Sequence, residues 1–238
     1  MERANERVGL RLPTAVAKKR VNGKRGKGWF PENVRPVLAI LALGLFSGCG
    51  SAIRVPVPPA DLSPLGEHRP AGVTLSIDPR IGQGEAGQEF CYATLRTYRV
   101  VVPYGAGLGT TIRQAAASVF ATVNEGDRCQ EGSSAVIRVE WAGEPAVSVG
   151  WDEGFREGAR GSVEFPLRVI VSDCEGKILA RRTIVGGYAG PGASPGMWNP
   201  PSPDDFAPIL AAALRDTGVK LISAFTAVPL PAAPVASN

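Results

Sequence analysis

The chain is poor in histidine, with a single imidazole, His68, among 238 residues. A catalytic arrangement built on histidine needs that base held rigidly against its nucleophile, and His68 lies in a proline-rich stretch that is typical of a mobile linker. Of the four cysteines, no two form a CxxC pair, which argues against a zinc site. The sequence therefore predicts no catalytic residue, no metal and no cofactor, and we expect a non-enzymatic protein.

Long apolar runs are also missing. Residues 37–46, VLAILALGLF, form an apolar run that is too short for the roughly 20 residues needed to span a bilayer. A basic stretch precedes this run and small residues follow it, as in a secretory signal peptide. The following residues, Ser47-Gly48-Cys49-Gly50, resemble the lipobox of bacterial lipoproteins. That resemblance implies that the Cys49 thiol receives a diacylglyceryl group and becomes the mature N-terminus.

Positive charge is concentrated before Cys49. Ten of the 26 basic residues but only three of the 22 acidic residues lie in residues 1–48. The remaining chain is net acidic, whereas nucleic-acid binding needs positive charge to neutralise phosphates. We therefore expect no nucleic-acid partner. Cys91, Cys129 and Cys174 remain after Cys49; in an oxidising periplasm two of them can pair and one is left over, and the sequence does not select the pair.

Proline spacing divides the chain into segments. Residues 1–48 are the predicted signal peptide, and five prolines within residues 50–71 predict an extended tether over residues 49–71. Alternating apolar residues begin at Val73, so we expect one domain over residues 72–227, large enough for a core. Residues 228–238 are predicted to be a disordered tail. Because Met1 and Met197 are the only methionines, a translation start nearer Val34 is an alternative.

Hydrophobic periodicity predicts an α+β fold. Strands are predicted near residues 73–77, 90–104, 136–141, 163–171 and 178–185, with a short partner at 146–151. Helical spacing runs from a Thr-Gln capping box at Thr111 to about Asn124, and again after Ser202. The order β-β-α-β-β-β-α predicts a two-layer domain with a mostly antiparallel sheet and two helices. Pro166 inside a strand argues for an edge position or a bulge.

Two glycine motifs suggest ligand binding at first sight. Gly82, Gly84 and Gly87 match the spacing GxGxxG, but they lie between two predicted strands, whereas a dinucleotide fingerprint opens a helix. Residues 105–111, GAGLGTT, do run from a strand into a helix, whose N-terminus attracts anions. No lysine accompanies this loop, however. We expect both motifs to serve turns of the chain.

Acidic and aromatic residues are interleaved in the middle of the domain. Two carboxylates flanking a sugar ring would suit glycoside hydrolysis, so a carboxylate-dependent glycan hydrolase or a wall-binding protein is the alternative function. The residues concerned are Glu140, Glu144, Asp152, Glu153 and Glu157, with Trp141, Trp151 and Phe155.

A Gly/Pro-rich loop over residues 186–203 carries Met197 and Trp198, with Tyr188 nearby. Exposed aromatic residues on a loop favour contacts with a partner, whereas a Trp198 side chain folded back would plug the end of the core. Tyr188, Met197 and Trp198 are therefore the candidate partner contact.

Two segments resemble small α+β outer-membrane lipoproteins. One is RVVVPYGAGLGTTIRQAAASVF over residues 99–120; the other is VEFPLRVIVSDCEGKILARR over residues 163–182, continued by the terminal helix DDFAPILAAALRDTGVKLISAF. This layout is similar to that of lipopolysaccharide-assembly and YajG-like lipoproteins. The resemblance implies attachment to the bilayer through Cys49 on the periplasmic face of the outer membrane, since Gly50 is not the aspartate that favours inner-membrane retention. We expect the protein to bind, or help assemble, an envelope protein or glycan.

Overall fold

The computed structural model describes residues 51–58, 62, 68–92, 96–152, 158–194 and 200–231. The chain divides into two units, Met1–Ser47 and Gly48–Asn238, and all described residues belong to the second. The predicted signal peptide and Cys49 lie outside the described residues. The predicted α+β class is confirmed by the elements β1 (Ser51–Arg54), β2 (Arg69–Ile77), α1 (Pro79–Gly82), β3 (Ala86–Tyr92), β4 (Arg96–Val102), α2 (Tyr104–Ala117), β5 (Phe120–Glu125), β6 (Ala135–Trp141), β7 (Ala146–Asp152), β8 (Gly158–Ser172), β9 (Ile178–Pro191) and α3 (Pro203–Thr226).

The long strand β8 organises a six-stranded sheet. β9 pairs antiparallel along one edge of β8 after a turn at residues 173–176, where Gly176 adopts a φ of 87° that favours glycine. β6 and β7 pair antiparallel with the other edge of β8. β2 continues the sheet beyond β6 and runs parallel to both β6 and β5.

Strict alternation along β8 gives the sheet two different faces. Its buried side chains face the helices and form the core face; α3 packs on this face against β8 and β9, and also contacts α2. The intervening side chains of β8 point to the opposite surface, which we call the outer face. The buried set is Val163, Phe165, Leu167, Val169 and Val171.

Pro166 lies at an interruption of the sheet, not at its edge. Trp141 of β6 pairs with Leu167 and Ala146 of β7 pairs with Glu164, so residues 142–145 bulge opposite residues 165 and 166. The Pro166 carbonyl accepts a hydrogen bond from the Ala142 backbone at 2.9 Å. Proline has no backbone N–H, and at residue 166 that group would have pointed toward the bulge. The sheet therefore loses no hydrogen bond to a paired strand there.

A second sheet has three strands in the order β1, β4, β3. β3 and β4 form an antiparallel hairpin, where the sequence predicts one strand over residues 90–104. No glycine, proline, asparagine or aspartate lies between Tyr92 and Arg96, so no turn signal marks the break. β1 pairs in parallel with β4 and buries Ile53, which differs from the predicted tether over residues 49–71.

Helix α2 begins at Tyr104, earlier than predicted. The predicted capping box at Thr111 is wrong, because the Thr111 hydroxyl donates to the Gly107 carbonyl within the helix at 2.9 Å. A Cβ on Gly107 would lie 2.5 Å from the Val57 side chain and 2.9 Å from that of Leu214. The glycines thus allow close packing that outweighs their low helix propensity. The helix ends at Ala117, and the remainder of the predicted helix forms β5.

Helix α3 follows the prediction closely. Pro203 occupies its first position after Ser202, and the Asp205 carboxylate accepts hydrogen bonds from the Ser202 backbone N–H at 2.7 Å and hydroxyl at 2.9 Å. Beyond the helix, the structure describes the first four residues of the predicted tail, 228–231. Val228 is buried, and its carbonyl accepts a hydrogen bond from Arg69 at 2.8 Å; residues 232–238 lie outside the described residues.

Candidate functional site

The outer face of the six-stranded sheet brings together two arginines that are distant in sequence. Arg138 of β6 pairs with Ile170 of β8, and Ile170 pairs with Arg181 of β9. Residues directly opposite each other share a face, and neighbouring strands lie about 4.8 Å apart. Two guanidinium groups therefore flank one apolar side chain across three strands.

These side chains line a groove of about 660 Å³, which we call the arginine groove. Val136, Ile170 and Ile178 supply its apolar surface, and Ile178 is 52% exposed. Arg128, in the loop after β5, adds a third guanidinium group. The groove therefore combines positive charge at its sides with an apolar floor.

Three guanidinium groups and three carboxylates line the groove, so what distinguishes its arginines is that they are not held in ion pairs among the described residues. Neighbouring Arg168 is neutralised by Glu140, with 3.1 Å between Nη1 and Oε1. Within the part of the chain that the structure describes, no carboxylate forms an ion pair with Arg128, Arg138 or Arg181. These three guanidinium groups are available to an anionic ligand.

Three carboxylates also line the groove, and two of them are engaged elsewhere. Asp127 accepts a hydrogen bond from the Ser76 hydroxyl at 2.5 Å. Asp173 accepts one from the Lys177 backbone N–H at 2.8 Å, within the turn between β8 and β9. The third, Glu175, lies exposed at that turn. Two of the carboxylates thus hydrogen-bond within the loops around the groove, whereas Arg138 and Arg181 belong to the strands of the sheet.

A disulfide closes one end of the groove. Cys129 and Cys174 are bonded, which ties the loop before β6 to the turn after β8. The pairing that the sequence leaves open is therefore Cys129 with Cys174, and Cys91 is the free, exposed cysteine among the described residues. The groove is held by a covalent link at the end where β8 turns into β9.

This arrangement is suited to binding. A guanidinium group recognises a carboxylate or phosphate through two parallel hydrogen bonds, and the apolar floor can cover an aliphatic part of the same ligand. Among the residues described, no group of three or more histidine, cysteine, aspartate or glutamate side chains could hold a metal ion.

Of the predicted partner contact, the structure describes only Tyr188. Tyr188 pairs with Val163 across β8 and β9, so its side chain lies on the core face. The Tyr188 hydroxyl donates to the Pro191 carbonyl at 3.0 Å. Tyr188 and the arginine groove therefore lie on opposite faces of the sheet. Met197 and Trp198 lie outside the described residues, so this contact stays a prediction.

The two described aromatic residues of the proposed sugar platform pack against core side chains. Trp141 packs against Tyr104 and Phe165, with ring centroids 6.3 and 6.4 Å apart. Trp151 packs against Phe206 at 6.4 Å. These two indoles consequently support the core.

Only two of the five proposed catalytic carboxylates, Glu140 and Glu144, have described side chains. Glu140 is paired with Arg168, and Glu144 lies exposed in the bulge between β6 and β7. Asp152 ends β7, without a described side chain. Glu153, Phe155 and Glu157 lie outside the described residues.

The two glycine motifs have different outcomes. Gly82 ends α1 and Gly87 belongs to β3, so the GxGxxG match does not open a helix. Residues 105–111 lie inside α2, so the expectation that they form a turn is wrong. At the start of this helix, the Gly105 backbone N–H donates to the Gly84 carbonyl at 2.9 Å, which satisfies one of the donors that a helix N-terminus leaves free.

The short helix α1 is capped by a charged side chain, that of Asp78. The Asp78 carboxylate accepts hydrogen bonds from the Arg80 backbone N–H at 3.0 Å and from its guanidinium group. The side-chain hydrogen bond from Arg80 lowers the pKa of Asp78, and the same contact raises the pKa of Arg80. His68 lies exposed directly before β2, away from this pair in sequence.

The sequence predicts only part of the arginine groove. Alternation in β6 places Arg138 on the polar side of its strand. Ser172 pairs with Ile178 next to the turn, and that register alone would place Ala180 opposite Ile170. A register shift between Val171 and Ser172 places Arg181 there instead, so the hairpin turn does not reveal the pair.

Comparisons with known proteins place the chain in no family. No family model matches, and no curated protein matches. Among solved structures, two are similar to the chain at a TM-score of 0.40. One is a Xanthomonas campestris protein of the DUF330 family, 14% identical over 74% of this chain and 93% of that one. The other is a minor lipoprotein from Acinetobacter baumannii, 9% identical over 70% of this chain and 99% of that one. Separately, none of the described helices has the length and apolar character required to cross a membrane.

Proposed function

We propose that the protein is a lipoprotein attached to the periplasmic face of the outer membrane, and that its arginine groove binds an acidic segment of another envelope protein. The anchor rests on the sequence around Cys49: a basic stretch, a short apolar run and small residues before the cysteine. Stable membrane attachment needs more than one acyl chain, which lipoprotein modification supplies.

The observation that carries the binding function is the pair Arg138 and Arg181 on either side of Ile170. Both arginines are exposed, and no ion pair within the described residues neutralises them. A partner segment that places a carboxylate between the two guanidinium groups and an aliphatic side chain on Ile170 would match both the charge and the apolar floor.

A protein partner suits this surface better than a glycan does. Sugar rings stack on exposed aromatic faces, but Trp141 and Trp151 pack toward the core. The floor of the arginine groove is aliphatic, formed by Val136, Ile170 and Ile178. Of the carboxylates proposed for glycan hydrolysis, the two with described side chains, Glu140 and Glu144, are not among the residues that line the arginine groove.

Site-specific photo-crosslinking in cells tests the proposal. A photoreactive residue at Thr183, exposed on the outer face and two positions from Arg181, should capture one envelope protein, through a segment rich in aspartate or glutamate. The same residue at Val219, which is 48% exposed on α3, is the matched control and should not capture it. Equal capture from both positions, or capture of glycan alone, would contradict the proposal.

Charge reversal is a second test of partner binding at the arginine groove. Replacing both arginines, Arg138→Glu with Arg181→Glu, should weaken binding of the captured partner roughly a hundredfold, because like-charge juxtaposition costs several kcal/mol. The control Arg215→Glu changes an exposed arginine on α3 and should leave binding unchanged. Equal effects of the two changes would show that net charge alone, and not the groove, attracts the partner.

A further inference from the structure

The connection between the proposed anchor and the fold is very short. Cys49 is separated from Ser51, the first residue of β1, by Gly50 alone. Two residues of fully extended chain span at most about 7 Å. However the connection is arranged, the Cys49 Cα lies within that distance of the start of β1.

β1 is a fixed part of the domain. Ser51 and Ile53 pair with Tyr98 and Val100 of β4, and the Val55 backbone N–H that follows donates to the Val101 carbonyl at 2.9 Å. Ile53 is 5% exposed and Val55 is 1% exposed. A segment that buries two aliphatic side chains in the core cannot act as a flexible spacer, so only Gly50 separates the proposed anchor from the small sheet.

One end of the three-stranded sheet therefore lies next to the anchor. Because β1 and β4 are parallel, Ser51 lies beside Tyr98 near the start of β4, and Tyr98 pairs with Phe90 near the end of β3. Cys91 is the next residue of β3 and is exposed. Two strand spacings and the connection together put the Cys91 Cα within about 20 Å of that of Cys49.

The arginine groove lies far from this end. The small sheet meets the large one where the Val149 backbone N–H donates to the Gln88 Oε1 atom at 2.7 Å, and Val149 pairs with Gly161 of β8. From Gly161 to Ile170 the strand advances by about 30 Å. The groove and the anchored end thus lie at different ends of β8.

We infer that the end of the small sheet formed by Ser51, Tyr98 and Cys91 is the membrane-facing end of the domain, held directly against the bilayer surface. This inference rests on the proposed lipidation of Cys49. The domain is not suspended on a linker, and the end of β8 that carries the arginine groove points to the periplasm. The anchored end of the small sheet contacts the lipid surface and not another protein.

Fluorescence quenching at the bilayer surface tests the orientation. The full lipidated chain is extracted from membranes, labelled at Cys91 with a small fluorophore and reconstituted into phosphatidylcholine vesicles that carry a nitroxide quencher on their head groups. The control carries the label on the Thr183→Cys variant in a Cys91→Ser background. We expect quenching several-fold greater at Cys91 than at position 183.

Inserting a flexible linker tests the orientation of the domain independently of its attachment to the membrane. Twenty glycine and serine residues inserted between Gly50 and Ser51 span about 25 Å on average, and should remove the excess quenching at Cys91 while the protein still floats with the vesicles. Equal quenching at the two positions, or excess quenching that survives the insertion, overturns the orientation alone. Failure of the wild type to float, or equal flotation of Cys49→Ser, overturns the anchor and with it the proposed function.

Discussion

Removal of the Cys129–Cys174 disulfide should destabilise the domain strongly. The bond joins residues 45 positions apart, and in the chain-entropy description a cross-link stabilises by restricting the unfolded chain. For a loop of this length the restriction amounts to about 4 kcal/mol at 25 °C. Two-state unfolding of a domain this size has a urea m-value of about 2 kcal/mol/M, so the midpoint should fall by about 2 M.

The assay is urea unfolding followed by tryptophan fluorescence. The test variant is Cys129→Ala with Cys174→Ala, and the matched control is Cys91→Ala, which removes the exposed free cysteine and should stay within about 0.5 kcal/mol of the wild type. Reductant should lower the midpoint of the wild type to that of the double variant, and it should leave the double variant unchanged.

The same variant also tests the site. Cys129 and Cys174 both line the arginine groove, so their removal should loosen its rim and weaken partner binding. Equal free energies of unfolding for the oxidised wild type and the double variant would refute the reasoning. Peptide mapping that finds Cys91 in the bond would refute the pairing on which it depends.

Three further changes probe the fold by the free energy of unfolding. Asp205→Ala removes both hydrogen bonds from Ser202 and should cost about 1–2 kcal/mol, against little for exposed Asp204→Ala. Phe165→Ala empties a fully buried ring site and should cost about 3–5 kcal/mol; a loss below 1 kcal/mol would contradict this packing. Burial raises the pKa of Tyr104. Its stabilising effect is therefore complete below the ordinary pKa of about 10 and lost as pH rises through the folded pKa, so Tyr104→Phe should lose less stability in alkali than the wild type does.

Some of the fold follows from the sequence because local and tertiary preferences agree there. Val163 to Val171 alternate along β8 as one buried face requires, and Asp173–Gly176 signals the turn. Ser202 and Pro203 mark the start of α3 with chemistry that works in any context. These elements can therefore be predicted from their local sequence alone.

Elsewhere tertiary packing overrides the local signal. Gly105 and Gly107 are poor helix formers, yet both lie in α2. A side chain at Gly105 would meet the backbone of residues 81–84, and one at Gly107 would meet Val57 and Leu214. Residues 51–54 contain no strand pattern long enough to stand out, and they form β1 only because β4 offers a partner edge. The arginine groove depends on register between strands, which the composition of each strand alone does not reveal.

The central claim is that the mature protein begins at an acylated Cys49. Intact mass spectrometry of the protein extracted from cell membranes tests it most directly. The account predicts a chain that starts at Cys49 and carries the added mass of a diacylglyceryl group, with further acylation at its amino end. A chain that retains residues before Cys49, or a Cys49 with an unmodified thiol, would contradict it.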